Sequence, residues 1–177
     1  MSFRIANIVR DSIVDGEGYR YVIFFQGCSH NCYGCHNKQT HDFSGGIEVD
    51  DAYILNDLEK CNKARLMDIT LSGGDPFFQA DKILNLVKRL KDKGYNIWAY
   101  TGFVFDDFIN FKAGKPCNKK VTDSMIELLN YLDVVVDGPF ILSKRTVDGE
   151  FAGSTNQRLV DVHKSLIENK VVLYELD

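Results

Sequence analysis

Three cysteines on one short stretch have the types and spacing needed for metal chemistry. Cys28, Cys32 and Cys35 follow the pattern C-x3-C-x2-C. Deprotonated thiols bind zinc and iron–sulfur centres, and a loop of this length can wrap one compact centre. The spacing therefore predicts a metal site at these three residues.

Two kinds of centre are compatible with three clustered thiolates. A structural zinc ion takes four closed ligands, commonly from two C-x2-C pairs, and the second pair is missing here. A histidine could complete a zinc site, the candidates being His30, His36 and His41. A cubane cluster normally takes four cysteines, so three leave one iron open to a substrate or cofactor. The spacing favours a reactive 4Fe-4S cluster and keeps zinc as an alternative.

The elements that must position this loop follow from the apolar pattern. Apolar, β-branched and aromatic runs predict strands at residues 3–9, 19–26, 66–71, 96–100, 133–136 and 171–174. Helical periodicity predicts helices over 50–61, 79–93 and 122–132. This alternation indicates an α/β fold with a mainly parallel sheet covered by helices. The 177 residues are too few for an eightfold barrel. We expect one domain, residues 1–177, forming an open partial barrel of about six strands.

Loops with unusual composition follow the predicted strands one after another. They are Gly27-Cys28, Ser72-Gly73-Gly74-Asp75-Pro76, Thr101-Gly102 and Asp137-Gly138-Pro139. Carboxyl ends of parallel strands share one edge of a sheet, and active sites gather there. Four such loops beside a cysteine cluster predict a functional site on that edge.

Composition excludes some classes of partner and indicates the cellular compartment. The 21 basic and 25 acidic residues give a net charge of -4 without long blocks of one sign, which argues against nucleic acid and anionic lipid as partners. The apolar runs are shorter than the ~20 residues of a membrane span, and the first residues lack a signal-peptide layout. Five cysteines, an odd number, indicate reduced thiols. We expect a cytoplasmic protein.

Several single residues have structural interpretations. Gly94 is expected to end the second helix and Thr122 to cap the third. Cys61 is expected to be a small buried hydrophobe and Trp98 a core residue. His30 is expected to form hydrogen bonds or meet solvent, because ligation by His30 would fill the open iron. A group of lysines is expected to form a solvated surface loop, or else to meet an acidic patch of a partner. These are Lys112, Lys115, Lys119 and Lys120.

With their surroundings, the cysteines resemble those of the radical S-adenosylmethionine (SAM) superfamily. C-x3-C-x2-C after the apolar run 21–27 is the signature of these enzymes, and residues 72–76 resemble their Gly-Gly-Glu-Pro segment, with Asp75 replacing glutamate. The resemblance implies an open partial (β/α)6-like radical SAM barrel. It also implies that SAM chelates the open iron and that the reduced cluster cleaves it to a 5'-deoxyadenosyl radical.

Over residues 7–162 the sequence resembles one particular family of this superfamily. Six segments, 15–20, 27–37, 71–76, 98–102, 135–140 and 153–158, occur in the order found in the anaerobic ribonucleoside-triphosphate reductase activating family. Members of that family are glycyl-radical activases. The resemblance therefore implies an oxidoreductase that abstracts hydrogen from a glycine of the large reductase subunit. It also implies flavodoxin or ferredoxin as electron donor.

Site residues carry over from the resemblance by position. The implied cluster ligands are Cys28, Cys32 and Cys35, with no catalytic residue beyond the cluster. The residues implied to contact SAM are Gly34, Cys35 and His36 on the adenine side, Gly73, Gly74 and Asp75 on the methionyl side, and Thr101 and Asp137 at strand ends. Residues 153–158 match a family segment that either docks a partner or closes the rim.

Two alternative functions are compatible with parts of this pattern. A small-molecule radical enzyme similar to 7-carboxy-7-deazaguanine synthase also carries an upstream Gly-Glu-Gly, as at residues 16–18. That family typically has Asp-Thr after the third cysteine, where this chain has His36 and Asn37. A non-catalytic zinc or iron–sulfur binding module is the second alternative, and the glycine-rich rim argues against it.

Overall fold

The computed structural model describes residues 1–176; Asp177, the last residue of the predicted domain, lies outside the described residues. The strands are β1 (Ser2–Ser12), β2 (Tyr19–Phe25), β3 (Ile47–Asp50), β4 (Met67–Gly73), β5 (Ile97–Tyr100), β6 (Val134–Asp137) and β7 (Arg158–Asp161). The α-helices are α1 (Asp51–Cys61), α2 (Ala80–Asp92), α3 (Phe105–Lys112), α4 (Asp123–Leu129) and α5 (Val162–Glu168).

The strands form one sheet in the order β3-β1-β2-β4-β5-β6-β7. The four middle strands, β2, β4, β5 and β6, are parallel, whereas β1 pairs antiparallel with β2 and β3, and β7 with β6. The predicted α/β class is confirmed, but the sheet is parallel only in its middle. Residues 13–18, which join β1 to β2, are too few for the crossover that a parallel pair requires.

Three strand assignments differ from the sequence prediction. The strand predicted at residues 171–174 is wrong, because this segment forms only an isolated bridge between Leu173 and Val160 and one backbone bond from Tyr174 to Leu159. The two edge strands β3 and β7 were not predicted. Each has four residues and a single buried apolar side chain, Val49 in β3 and Val160 in β7, so neither shows a strand-like run.

The three predicted helices are confirmed, and their local signals act as expected. Core-facing residues of α2 repeat at helical spacing, and Gly94 follows its end at a φ of +79°. Thr122 caps α4 by accepting the backbone N–H of Met125, and Asp50 caps α1 through Tyr53. No helix among the described residues is both long and apolar enough to cross a bilayer.

The prediction that Cys61 is buried is wrong. Cys61 is the last residue of α1 and is exposed. The neighbouring Asn62 turns inward instead: its side chain donates to the backbone oxygen of Met67 at 2.8 Å and accepts the Met67 N–H at 3.0 Å. This pair of bonds directs the end of the helix, so Asn62 and not Cys61 occupies the interior there.

The two faces of the sheet are packed differently, because successive strand residues point to opposite sides. One face meets α1, α2 and α4 in the main apolar core. On the other, called the inner face here, Trp98 packs with Val134 and Val136. The Trp98 ring lies edge-on to Phe151 at 5.4 Å and to Tyr174 at 5.5 Å. Trp98 is therefore a core residue, as predicted, but in the smaller cluster.

Two segments distant in sequence close the inner face. The Tyr174 hydroxyl donates to Glu17 Oε2 at 2.6 Å, joining the β1–β2 loop to the C-terminal segment. Beside them Arg20 is buried; its guanidinium lies 5.2 Å from the Trp98 ring centre and donates to Thr70 Oγ1 at 3.0 Å. Burial lowers the pKa of Arg20 to about 10. The inner face thus combines aromatic packing with a buried cation.

Candidate metal and cofactor site

The cysteine loop begins where β2 ends and is held by backbone hydrogen bonds. Gly27 N–H donates to Thr40 O at 2.7 Å, and Cys28 N–H donates to His41 O at 3.1 Å. Cys35 N–H donates to Cys32 O at 3.2 Å, which closes a turn inside the loop. The loop is therefore anchored at its start and folded on itself near its end.

The three thiols are free and half-buried, and they suit an iron–sulfur cluster. Nowhere in residues 1–176 do three His, Cys, Asp or Glu side chains converge on one ion position. A mononuclear zinc site requires such convergence, whereas a cubane places each thiolate on a different iron. Burial raises the pKa of Cys28 to about 11, so ligation releases a proton from this thiol. The three thiols therefore fit a cluster in which each binds a different iron.

A cavity of about 730 Å³ lies on the inner face at the carboxyl ends of the parallel strands. Strand ends contribute Phe24, Ser72, Gly73 and Tyr100, and the cysteine loop contributes Cys35, His36 and Asn37. The opposite wall comes from residues 140–157 and the β1–β2 loop. Of the residues implied to contact SAM, the structure brings Cys35, His36 and Gly73 to this one cavity.

Gly34 and Gly74 do not line the cavity themselves, although each is next to a residue that does, and both glycines are closely packed. Gly34 has a φ of +75° and packs against Leu142. Gly74 N–H donates to Phe25 O at 2.8 Å, and a methyl group at Gly74 would lie 2.5 Å from the Gly27 oxygen. The end of β4 therefore approaches the start of the cysteine loop more closely than any side chain allows.

Asp75 is fully buried and bonded within the protein, not to the cavity. Its Oδ2 accepts from His30 Nε2 at 2.6 Å, Thr101 Oγ1 at 2.8 Å and Gly102 N–H at 2.9 Å. Its Oδ1 accepts from Phe77 N–H at 2.9 Å. Asp75 and Thr101 thus join the ends of β4 and β5 to the cysteine loop.

His30 and Lys119 have more specific roles than the sequence indicates. His30 forms hydrogen bonds, one of its two expected roles, with Asp75 on one side and Lys119 Nζ at 2.7 Å on the other. Lys119 also donates to Gly102 O at 2.7 Å. The expectation of a wholly solvated lysine loop is wrong for Lys119, because its ammonium bonds inward, while Lys112, Lys115 and Lys120 are exposed.

Asp137 is buried in an ion pair behind the opposite wall. Arg158 Nη2 lies 2.5 Å from Asp137 Oδ2, and Phe105 N–H donates to the same carboxylate at 2.7 Å. These bonds, with a further ion pair to exposed Asp106, raise the pKa of Arg158 above its ordinary value. Asp137 therefore holds β7 and the start of α3 in place, and it does not line the cavity.

Residues 153–158 close the rim of the cavity. Gln157 Oε1 accepts the N–H groups of Gly153 and Ser154, and Gln157 Nε2 donates to Gly138 O at 3.0 Å. Asn156 Nδ2 donates to Pro139 O at 2.8 Å. Gly153 and Gln157 both line the cavity. Of the two roles considered for this segment, rim closure is the one these contacts support.

Some cavity residues had no site assignment from the sequence. They are Ile13, Val14, Asp15, Phe24, Asn37, Tyr100, Phe140 and Gln157, among others. The only sequence signal was that Asp15, Asn37, Tyr100, Phe140 and Gln157 belong to the six ordered segments. That signal gives no side-chain direction, so it could not separate the cavity wall from the core behind it.

A family model described as a 4Fe-4S single cluster domain matches residues 14–160. The match spans the cysteine loop, residues 72–76 and most of the cavity wall. Fold and site therefore define an iron–sulfur cluster protein of mixed α/β architecture.

Curated relatives specify the family. The anaerobic ribonucleoside-triphosphate reductase-activating protein of Haemophilus influenzae is 34% identical over 154 residues, 82% of this chain and 89% of the relative. Proteins of that name from Escherichia coli K12 and Enterobacteria phage T4 are 32% and 31% identical, over 82% of this chain and 90% and 86% of their own lengths. The chain belongs to the family of anaerobic ribonucleoside-triphosphate reductase-activating proteins.

This membership confirms the predicted family, enzyme class and cofactors. The chain is a radical SAM enzyme whose cofactors are a 4Fe-4S cluster and SAM. Among solved structures, QueE from Escherichia coli matches with a TM-score of 0.49 and 13% identity, over 77% of this chain and 70% of QueE. A likeness at that level does not separate one function from another.

Proposed function

We propose that this chain generates the glycyl radical of an anaerobic ribonucleoside-triphosphate reductase by abstracting hydrogen from one glycine of its large subunit. The observation that carries the proposal is that Cys35 of the cysteine loop and Gly73 of the strand edge line the same cavity. The family membership of the chain gives the substrate. When bound and reduced, the cluster supplies the electron that cleaves SAM to a 5'-deoxyadenosyl radical.

The residues of the chain hold and orient these groups. Cys28, Cys32 and Cys35 would ligate three irons, leaving the fourth for the amino and carboxylate groups of SAM. The cavity of about 730 Å³ beside Cys35 has the volume of a small-molecule site. Placing SAM there would bring its reacting bond beside the cluster and exclude bulk water from it.

Different residues are proposed to contact the two ends of SAM. The Gly34–Cys35 backbone and His36 would meet the adenine end, and His36 already packs 4.9 Å from the Phe140 ring. Gly73 and Gly74 would meet the methionyl end, where Gly73 lines the cavity. For Asp75, Thr101 and Asp137 we propose indirect roles, because their polar groups bond within the protein.

Two protein partners and a compartment complete the proposal. The large reductase subunit would present its glycine at the mouth of the cavity, and flavodoxin or ferredoxin would supply the electron. All five cysteines are free, which suits the reducing cytoplasm. We propose that the protein acts there, without a nucleic acid or membrane partner.

We also propose that residues 1–177 are one radical SAM domain whose sheet is an open partial barrel. Its support is the run of four parallel strands with helices on one face and the cavity on the other. An activity like that of 7-carboxy-7-deazaguanine synthase is not favoured, because His36 and Asn37 replace Asp-Thr and the curated relatives are reductase activators.

Electron paramagnetic resonance tests the activity directly. The anaerobically reconstituted, reduced protein is mixed with SAM and the large reductase subunit from the same source. We expect a glycyl doublet that is absent with Cys32→Ala and retained with Cys61→Ala, a matched control at an exposed cysteine. A loaded cluster giving neither the doublet nor 5'-deoxyadenosine would contradict the proposed function.

A further inference from the structure

A closed ring of four hydrogen bonds lies beside the cysteine loop. Lys119 Nζ is 2.7 Å from His30 Nδ1 and 2.7 Å from Gly102 O. His30 Nε2 is 2.6 Å from Asp75 Oδ2, which accepts the Gly102 N–H at 2.9 Å. The ring joins four segments distant in sequence: the cysteine loop, the ends of β4 and β5, and the α3–α4 loop.

The chemistry of the donors fixes the direction of these bonds. A lysine ammonium can only donate, so His30 Nδ1 accepts from Lys119 and Nε2 is the nitrogen left to donate. Nε2–H then donates to the Asp75 carboxylate. His30 thus links Lys119 to the buried Asp75 through two short hydrogen bonds, of 2.7 Å and 2.6 Å.

Packing restricts the His30 ring. Only 4% of the side chain is exposed, and the rings of Phe78 and Phe103 lie 5.0 Å and 4.9 Å from it. Gly102 lies so close that a methyl group there would overlap the imidazole. A side chain held this firmly also fixes the backbone that carries it.

We propose that Lys119 and His30 are positioning residues for the iron–sulfur cluster. His30 lies inside the C-x3-C segment, so a fixed imidazole orients the backbone between Cys28 and Cys32, two of the three proposed ligands. Lys119 acts through His30, by holding its tautomer and angle. This inference rests on the proposed function, because it assumes a cluster at these cysteines. Groups that orient metal ligands typically change metal affinity or activity by about ten- to a hundredfold when removed.

The test measures cluster retention and the state of His30 separately from enzyme activity. The cluster-loaded protein is exposed anaerobically to an iron chelator, and iron release is followed by absorbance. We expect Lys119→Met to release iron about tenfold faster than wild type and Lys119→Arg, which keeps donors for His30 and Gly102, to release it more slowly than Lys119→Met. Lys115→Met removes an exposed lysine of the same loop and is expected to behave as wild type.

Nitrogen-15 NMR of the same samples keeps the proposal testable even if Lys119→Met folds poorly. In wild type we expect His30 Nδ1 to be unprotonated, and in Lys119→Met a mixture of both tautomers. Equal iron release from wild type and Lys119→Met, or a protonated His30 Nδ1 in wild type, would overturn the proposal alone. A wild-type protein that takes up no iron and sulfide would overturn the proposed function together with it.

Discussion

Asp137 and Arg158 form a bidentate ion pair between directly paired residues of β6 and β7. Arg158 Nη2 lies 2.5 Å from Oδ2 and Nε 3.0 Å from Oδ1. Oδ2 also accepts the N–H of Phe105, the first residue of α3. One buried carboxylate therefore holds the antiparallel edge of the sheet and the start of a helix on the far side of the cavity.

Replacing Arg158 with methionine is expected to destabilise the fold. The change leaves the Asp137 carboxylate buried without a counter-charge. We expect a loss of about 2–3 kcal/mol, less than the ~3–5 kcal/mol of fully buried pairs, because 35% of the Arg158 side chain is exposed. Urea unfolding monitored by circular dichroism measures it. Asp106→Asn removes only the exposed partner of Arg158 and is expected to cost under about 1 kcal/mol.

A methyl group at Gly74 is expected to impair cluster loading. It would lie 2.5 Å from Gly27 O and 2.9 Å from Thr40 O, both of which anchor the cysteine loop. We expect Gly74→Ala to lose about 1–3 kcal/mol of stability through overpacking and to hold less iron per chain after reconstitution. Gly153→Ala, whose methyl group would meet its nearest atoms at 3.4 Å, serves as control. Equal iron content in both variants would show that the cysteine loop tolerates the displacement.

Trp98 is expected to dominate the stability of the inner face. It is 1% exposed and contacts the rings of Phe151 and Tyr174 and the guanidinium of Arg20. Trp98→Ala is expected to cost about 3–5 kcal/mol through the lost burial and the resulting cavity, and Trp98→Phe clearly less. Urea unfolding of both variants checks this order, and equal losses would contradict the role of aromatic packing.

Acid is expected to weaken the contact between β1, β2 and α1 through Asp57. Arg10 donates two hydrogen bonds to this carboxylate and Tyr21 one, which lowers the pKa of Asp57 below its ordinary value. A carboxylate with a lower pKa in the folded state adds stability above the unfolded pKa of ~4 and loses it as pH falls through the folded value. Unfolding free energies between about pH 3 and 7 should therefore fall less steeply with acid for Asp57→Asn. Asp92→Asn, at an exposed residue, should follow wild type.

The features that sequence predicts well are those encoded locally. The spacing of Cys28, Cys32 and Cys35 predicts a cysteine loop for the cluster, the apolar period of α2 identifies the helix, and Thr122 marks where α4 begins. Each signal involves residues within a few positions of one another. The order of loops after strand ends predicts the edge of the sheet where the cavity lies, because parallel strands bring their carboxyl ends together, but of these loops only Ser72 and Gly73 line the cavity.

The features that sequence missed depend on contacts between distant segments. α3 begins at Phe105, whose N–H bonds to Asp137, 32 residues later in the chain. Lys119 bonds to His30, 89 residues earlier. The short edge strands β3 and β7 form because neighbouring strands offer free backbone groups, not because their own residues form a strand-like pattern. Such partners become visible only in three dimensions.

The bond between Glu17 and Tyr174 can form only late in synthesis, because 157 residues separate the two. The cysteine loop and residues 72–76 leave the ribosome while the segment that carries Tyr174 has yet to be translated, and chains fold from their N-terminal end as they emerge. Stalled chains ending near residue 150 are therefore expected to take up iron and sulfide but to bind SAM poorly. We therefore expect the metal centre to be installed before the segment that carries Tyr174 packs on the inner face.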